Sequence, residues 1–175
     1  MRKRMSITMH EIAVPSFTKH LEALDAILDK AAAYAEAKKI DPNALLSARL
    51  YPDMYTFTKQ VQSACDFAKL SVARLAGISA PGHDDSETTF AELKTRIAET
   101  LAVLKAARPE PMEAAADQEV KIKAGPRELT FTGREYLLHF ALPNFYFHCA
   151  TAYGILRHNG LEIGKRDFMR RMPPA

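Results

Sequence analysis

Residues Thr132 to Gly160 read TGREYLLHFALPNFYFHCATAYGILRHNG, and this stretch decides the fold. Thr132-Gly133-Arg134-Glu135 has the form of a capping box. In that motif the Thr132 hydroxyl accepts from the N–H of Glu135, and the Glu135 carboxylate reaches back to the N–H of Thr132. Asn159-Gly160 supplies the stop, since a glycine adopts the left-handed conformation that ends many helices. The roughly 27 residues between span about 40 Å at 1.5 Å per residue. Pro143 lies inside. It removes one backbone donor and predicts a kink near Phe140 and Ala141.

Leu137, Phe140, Asn144, His148, Thr151, Ile155 and His158 recur at steps of three and four and so share one helix face. The face is apolar at its flanks and polar in the middle, where Leu or Ile would be ordinary. Two readings follow for Asn144 and His148. Either they are satisfied core polar groups that set helix register, or they line a cavity with Thr151 and Tyr153 nearby. Their i, i+4 spacing suits metal ligation geometrically. Asn is a poor transition-metal ligand, so a divalent metal is disfavoured and no cofactor is expected.

Working outward, the chain has 175 residues, enough for one domain with a sizeable core. Hydrophobic content is 47%, ordinary for a globular protein. A net charge of +3 is too small to argue for nucleic acid. Cys65 and Cys149 make no disulfide framework; they read as buried free thiols in a reducing compartment, and a cytoplasmic location is expected. No apolar run is long enough for a bilayer, so no membrane partner is expected. MRKRM is not followed by the apolar stretch of a secretory signal, and Met5 is an alternative start.

The first long helix is expected from near Thr8 to near Lys39, with Phe17, Leu21, Leu24, Leu28, Ala31 and Ala35 as a bundle-packing stripe. Pro15 predicts a bend in its first turns. His10 and His20 read as solvated. Asp41-Pro42 starts a short helical turn. Pro52 is expected to open the second long helix, whose stripe runs from Met54 through Phe57, Val61, Ala64, Ala68, Val72 and Leu75 to a stop at Gly77. Gln60, Gln62, Cys65 and Asp66 interrupt that pattern. The glutamines and Asp66 read as a solvated face, unless one of them reaches the polar patch on the last helix.

Residues 78–87 read as a loop, with His83 solvated in it. Thr89-Phe90-Ala91-Glu92 is a second capping box, opening a third helix on Phe90, Leu93, Ile97, Leu101 and Leu104. Pro109 and Pro111 end it. In residues 109–131, Val120 and Ile122 alternate with charges, as do Leu129 and Phe131, around Gly125-Pro126. This predicts a two-stranded hairpin that must pack on the bundle. After Gly160, Leu161, Ile163 and Phe168 anchor a docked tail over 161–175, which Lys165, Arg166, Arg170 and Arg171 make basic.

The whole chain, 1–175, is therefore expected to form a single all-α domain, a four-helix up-down-up-down bundle with a small β-hairpin before the last helix. There is no Gly-rich phosphate loop, GxSxG, HExxH, CxxC, EF-hand or ExxH motif.

The last helix also resembles the DinB/YfiT-like superfamily. There a histidine pair at i, i+4 is followed, eight and nine residues after its second member, by Leu-Arg and then a glycine stop. Here Leu156-Arg157 and Gly160 follow His148 at that spacing. His148 matches the second histidine, Asn144 stands at the first, and Gln60 or Gln62 on the second helix is nearest to the third ligand. LPNFYFHCATAYGILRHNG, IGKRDF and YPDMYTFTKQVQ resemble an uncharacterised domain-of-unknown-function branch, over nearly the whole chain from Met5. The resemblance implies a helical bundle that pairs as a homodimer. It implies a metal-dependent activity, including thiol transfer, only where the histidine triad is intact; this chain departs at two of three positions.

The first expectation for function is an unknown small molecule held between helices two and four, by His148 as base or anchor with Asn144, Gln60, Gln62, Thr151 and Tyr153 around it. The second is a non-catalytic homodimeric interaction protein with a structural polar core.

Overall fold

The computed structural model describes residues 7–170. Met1, Met5 and Arg171, and the basic stretch MRKRM, lie outside the described residues. The chain is mostly helical, with one two-stranded antiparallel hairpin. Helix α1 runs Met9–Lys38, α2 Pro42–Leu46, α3 Phe57–Ala76, α4 Phe90–Ala106 and α5 Pro109–Ala114. Strands β1 (Glu119–Ala124) and β2 (Arg127–Thr132) follow, then α6 (Gly133–Glu135), a π-helical segment (Tyr136–Ala141), α7 (Leu142–His158) and α8 (Lys165–Met169). Helix α3 packs on α7 and α4, and α1 packs on α4 and α7. One apolar core runs through them, with Phe17, Phe57, Ile97, Leu137, Phe145 and Ile155 fully enclosed. Among the described residues no helix is long and apolar enough to cross a membrane.

The capping boxes form as the sequence predicts. Thr89 with Glu92 starts α4, and Thr132 with Glu135 starts α6. A third box, Thr8 with Glu11, starts α1. Pro15 does not interrupt α1, which continues to Lys38. Its missing N–H deprives only the Glu11 carbonyl of a partner.

The second long helix begins five residues later than Pro52 predicts. The Met54 carbonyl accepts from Arg49 at 2.6 Å, Met54 N–H closes a turn on Tyr51, and Phe57 N–H donates to Ala48 at 2.8 Å. These contacts occupy the backbone groups a helix would need, so α3 starts at the Thr56 cap. Met54 therefore lies outside the buried stripe. Pro109 likewise does more than end α4: it is the first residue of α5.

The hairpin takes the predicted strands. Val120 pairs with Phe131 and Ile122 with Leu129, and Phe131 packs on Phe140 at 5.5 Å. The chain enters α6 against the end of α5, where Arg134 N–H donates to the Ala116 carbonyl at 2.9 Å. A Cβ on Gly133 would lie 2.1 Å from the Ala115 carbonyl oxygen, so only glycine permits this approach.

The kink predicted from Pro143 is resolved as a π segment. Leu142 N–H donates to Leu137, five residues back. The wider register carries the helix past the residue that has no N–H to give. At the far end Gly160 has φ +91° and stops α7. Leu161 and Ile163 are buried, and Gly164 N–H bonds Asp167 at 2.8 Å, so a short helix follows where the sequence suggested none. Asp167 meets Lys30 and Arg170 meets Glu22, which hold α8 on α1.

Candidate functional site

The polar middle of α7 faces α3. Gln60 on α3 is buried, and its side-chain oxygen lies 2.7 Å from Nδ1 of His148 on α7. The Gln60 amide nitrogen donates to the Tyr55 carbonyl at 3.4 Å. Turning the amide over would set oxygen against oxygen there, so Oε1 must face the imidazole. Nδ1 then carries the hydrogen and Nε2 keeps its lone pair. Nε2 has no hydrogen-bond partner among the described residues and is open to solvent.

The imidazole stacks on Phe67 at 5.5 Å and Tyr55 at 6.3 Å, with Phe147 edge-on at 5.4 Å. Burial, helped by the charge of Lys59, lowers the His148 pKa below its ordinary value, so the ring is neutral near pH 7. A neutral imidazole with a free acceptor can take a proton from, or bond to, an O–H, N–H or S–H group.

The other sequence-picked residues do not converge on this point. Asn144 is half-buried one turn away, and its amide donates to the Phe140 carbonyl at 2.8 Å rather than to His148. The Thr151 hydroxyl donates to the Phe147 carbonyl at 2.7 Å. Tyr153 turns to the tail, with its hydroxyl on the Ile163 carbonyl and its ring 5.9 Å from Phe168. Gln62 faces the 78–88 loop, where it donates to Glu87 at 2.8 Å. His158 is exposed. Cys65 and Cys149 are buried; burial pushes the Cys65 thiol up to about 12 and Cys149 well above its usual value, so both stay protonated.

Gln62 belongs to a second polar cluster that the sequence reading missed. Arg96 is 2% exposed, and it bonds Asp66 and Asp85 at 2.8 Å and Glu87 at 2.9 Å. Lys69, also 2% exposed, meets Asp66 at 3.2 Å, the Pro81 carbonyl at 2.9 Å and Nδ1 of His83. His83 Nε2 lies 2.7 Å from Glu99. So Gln62 and His83 are not solvated; they fasten the 78–88 loop to α3 and α4. The one signal in the sequence was spacing: Arg96 and Thr100 sit at the three- and four-residue steps between Leu93 and Leu104. His20 is also buried rather than solvated. Its Nδ1 donates to the Ser16 carbonyl at 3.0 Å, and Tyr146 and Phe168 cover it at 5.0 and 5.2 Å. The tail that supplies Phe168 comes from far along the chain, so local pattern could not show it.

Beside Phe67 lies a cavity of about 450 Å³ between α3, the hairpin and the π segment. Asn144 lines it and His148 does not. A cavity of about 530 Å³ on the other side of Arg74 is lined by α5, β1 and the end of α3, with no aromatic ring.

The fold and sequence both have known counterparts. A crystal structure of a DinB family member protein from Shewanella denitrificans is 46% identical, with a TM-score of 0.86, over 95% of this chain and 94% of that one. That places the molecule in the DinB-like class. Residues 9–169 match the family described as a domain of unknown function, DUF1993, and the chain belongs to that family. No curated protein matches.

The superfamily resemblance sets Asn144, His148 and Gln60 or Gln62 at the ligand positions, and these are amides around one imidazole. The Asn144 amide is turned to Phe140, and the Gln60 oxygen is spent on His148. Among the described residues no group of three or more His, Cys, Asp or Glu side chains could hold a metal ion. This donor set does not fit a transition-metal site.

Proposed function

We propose that this protein is a four-helix up-down-up-down bundle that binds a small molecule between α3 and α7 without the divalent metal of its superfamily. His148 is its polar anchor or base. The observation that carries this reading is the Gln60 bridge, which fixes the tautomer of a neutral imidazole and leaves Nε2 unpaired. That nitrogen is open to solvent, so its lone pair is within reach of a ligand from outside. Phe67, stacked on the imidazole, also lines the neighbouring cavity.

The test joins metal analysis with nitrogen NMR of His148. The expected outcome is a stable Nδ1–H tautomer and no stoichiometric metal in wild type or His148→Ala. About one zinc or nickel per chain, lost in His148→Ala, would replace this reading with a metalloenzyme.

A second reading, a homodimeric interaction protein, is favoured by one observation. Leu50, Tyr51, Tyr55 and Phe147 are exposed, and Leu50 lies against Gly154 of α7. Such apolar residues commonly mark contact surfaces. Light scattering at tens of micromolar protein decides it, since a single-chain mass would remove the dimer.

A further inference from the structure

The cavity beneath the hairpin has a chemistry of its own. Its volume of about 450 Å³ falls within the roughly 300–1,000 Å³ of small-ligand sites. Phe67, Leu70, Ile122 and Phe140 supply apolar walls. The rings hold one another: Phe140 lies 5.8 Å from Phe67 and 5.9 Å from Tyr136. The π register of the segment that Pro143 forces is what brings Tyr136 and Phe140 into this wall.

One cation lies over the ring that forms the wall. Arg74 lies over the Tyr136 ring at 5.2 Å and spends Nη1 on the Tyr136 hydroxyl at 2.5 Å. That uses one of its five N–H donors. Lys123 alternates with the buried Ile122 along β1, so its ammonium lies on the outer face of the hairpin. The single acid in the wall, Asp66, is already held on one oxygen by Lys69 and Arg96. The cavity is therefore apolar at its walls and carries one guanidinium against one neutralised carboxylate.

We propose that this cavity binds a small amphipathic monocarboxylate, with its apolar body on Phe67, Leu70, Ile122 and Phe140 and its carboxylate on Arg74. Arg presents a planar fork that matches a carboxylate. The apolar walls disfavour a bare inorganic anion, which would lose its hydration with nothing to fill the space. The inference goes beyond the His148 reading, because His148 is not in this wall and only Phe67 is shared.

Calorimetric titration of the full chain tests it with three matched probes: 4-phenylbutyrate, 4-phenylbutan-1-ol and 4-phenylbutylammonium. The carboxylate is expected to bind at one site, the alcohol about tenfold more weakly and the ammonium more weakly still, the worth of one charge-assisted contact. Arg74→Gln weakens the carboxylate about tenfold and leaves the alcohol unchanged, the alcohol reporting that the cavity is intact. Arg74→Lys keeps the charge without the planar fork and recovers part of the carboxylate affinity. Lys121→Gln, whose ammonium pairs with Glu119, is the control and leaves binding unchanged. Equal affinity for carboxylate and alcohol, no effect of Arg74→Gln, Arg74→Lys no tighter than Arg74→Gln, or no carboxylate binding in the millimolar range overturns the proposal.

Discussion

Helix α3 makes two polar contacts of opposite kind. Toward α4 it builds a charged cluster, in which Arg96 meets three carboxylates and Lys69 meets Asp66 and His83. Toward α7 it makes a neutral contact, one amide oxygen on one imidazole. The charged cluster is almost fully satisfied; among the described residues, only Nε of Arg96 is a buried side-chain polar atom without a partner. The neutral contact leaves a ring nitrogen unspent. The first region spends its donors and acceptors on holding a loop, whereas in the second a lone pair faces solvent.

The largest effect should come from breaking the charged side. Arg96→Met leaves Glu87 without a cation and Asp66 and Asp85 with only Lys69 and Lys59 respectively. Removing one member of a buried ion cluster costs roughly 3–5 kcal/mol. Partial exposure of Asp66 and Asp85 puts the expected loss near the lower end, about 3 kcal/mol, by urea unfolding. A loss below about 1 kcal/mol would show the cluster to be an ordinary surface network.

A smaller loss is expected on the neutral side. Gln60→Leu leaves the His148 Nδ1–H buried and unpaired, at about 1–3 kcal/mol. Gln60→Leu with His148→Phe removes both partners and should recover part of that loss. A double-mutant cycle with no coupling would sever the link between the two residues.

Acid separates the two regions by pH window. Burial would raise the Glu87 and Asp85 carboxyls, but their bonds to Arg96, and to Lys59 for Asp85, more than offset it and hold both below their ordinary values. Their contribution is present above about pH 4.5 and is lost as pH falls through the native values. Burial lowers the His148 and His20 pKa values from 6.5, so unfolded chain takes protons first as pH falls. Stability from those residues is present above pH 6.5 and declines below it. Stability curves should show two steps; His148→Gln shrinks the upper one, leaving the His20 part, and Arg96→Met shrinks the lower. A single step untouched by His148→Gln would contradict the neutral-imidazole assignment.

The smallest effect concerns charge at a distance. Lys59 helps keep the His148 proton off, after burial. Lys59→Gln should therefore raise the His148 midpoint in an NMR titration while leaving the fold intact; an unchanged or lowered midpoint would leave burial as the sole cause.

Much of this was legible along the chain. The capping boxes at Thr89 and Thr132, the hairpin around Gly125-Pro126 and the stops at Gly77 and Gly160 are local hydrogen-bond and φ requirements, each met within a few residues. The start of α3 was misplaced because Arg49 and Ala48 claim backbone groups that Pro52 alone leaves free. Pro143 predicted a kink near Phe140 and Ala141, and the helix there runs in π register over Tyr136–Ala141; the missing N–H shows in the sequence, but not the register that answers it.

The sequence by itself determined that the last helical run carries a polar patch amid an apolar face, and that this run, α6 through α7, is capped at Thr132 and stopped at Gly160. Spacing and capping suffice for that, because both act within one helix. Which neighbour answers each polar side chain was decided only in three dimensions. Asn144 turns to its own backbone, His148 meets Gln60, Gln62 goes to Glu87, and His20 lies under Phe168. The reason is reach: the partner of a buried polar group comes from whichever element packs against it, and Phe168 stands 148 residues beyond the start of the question at His20.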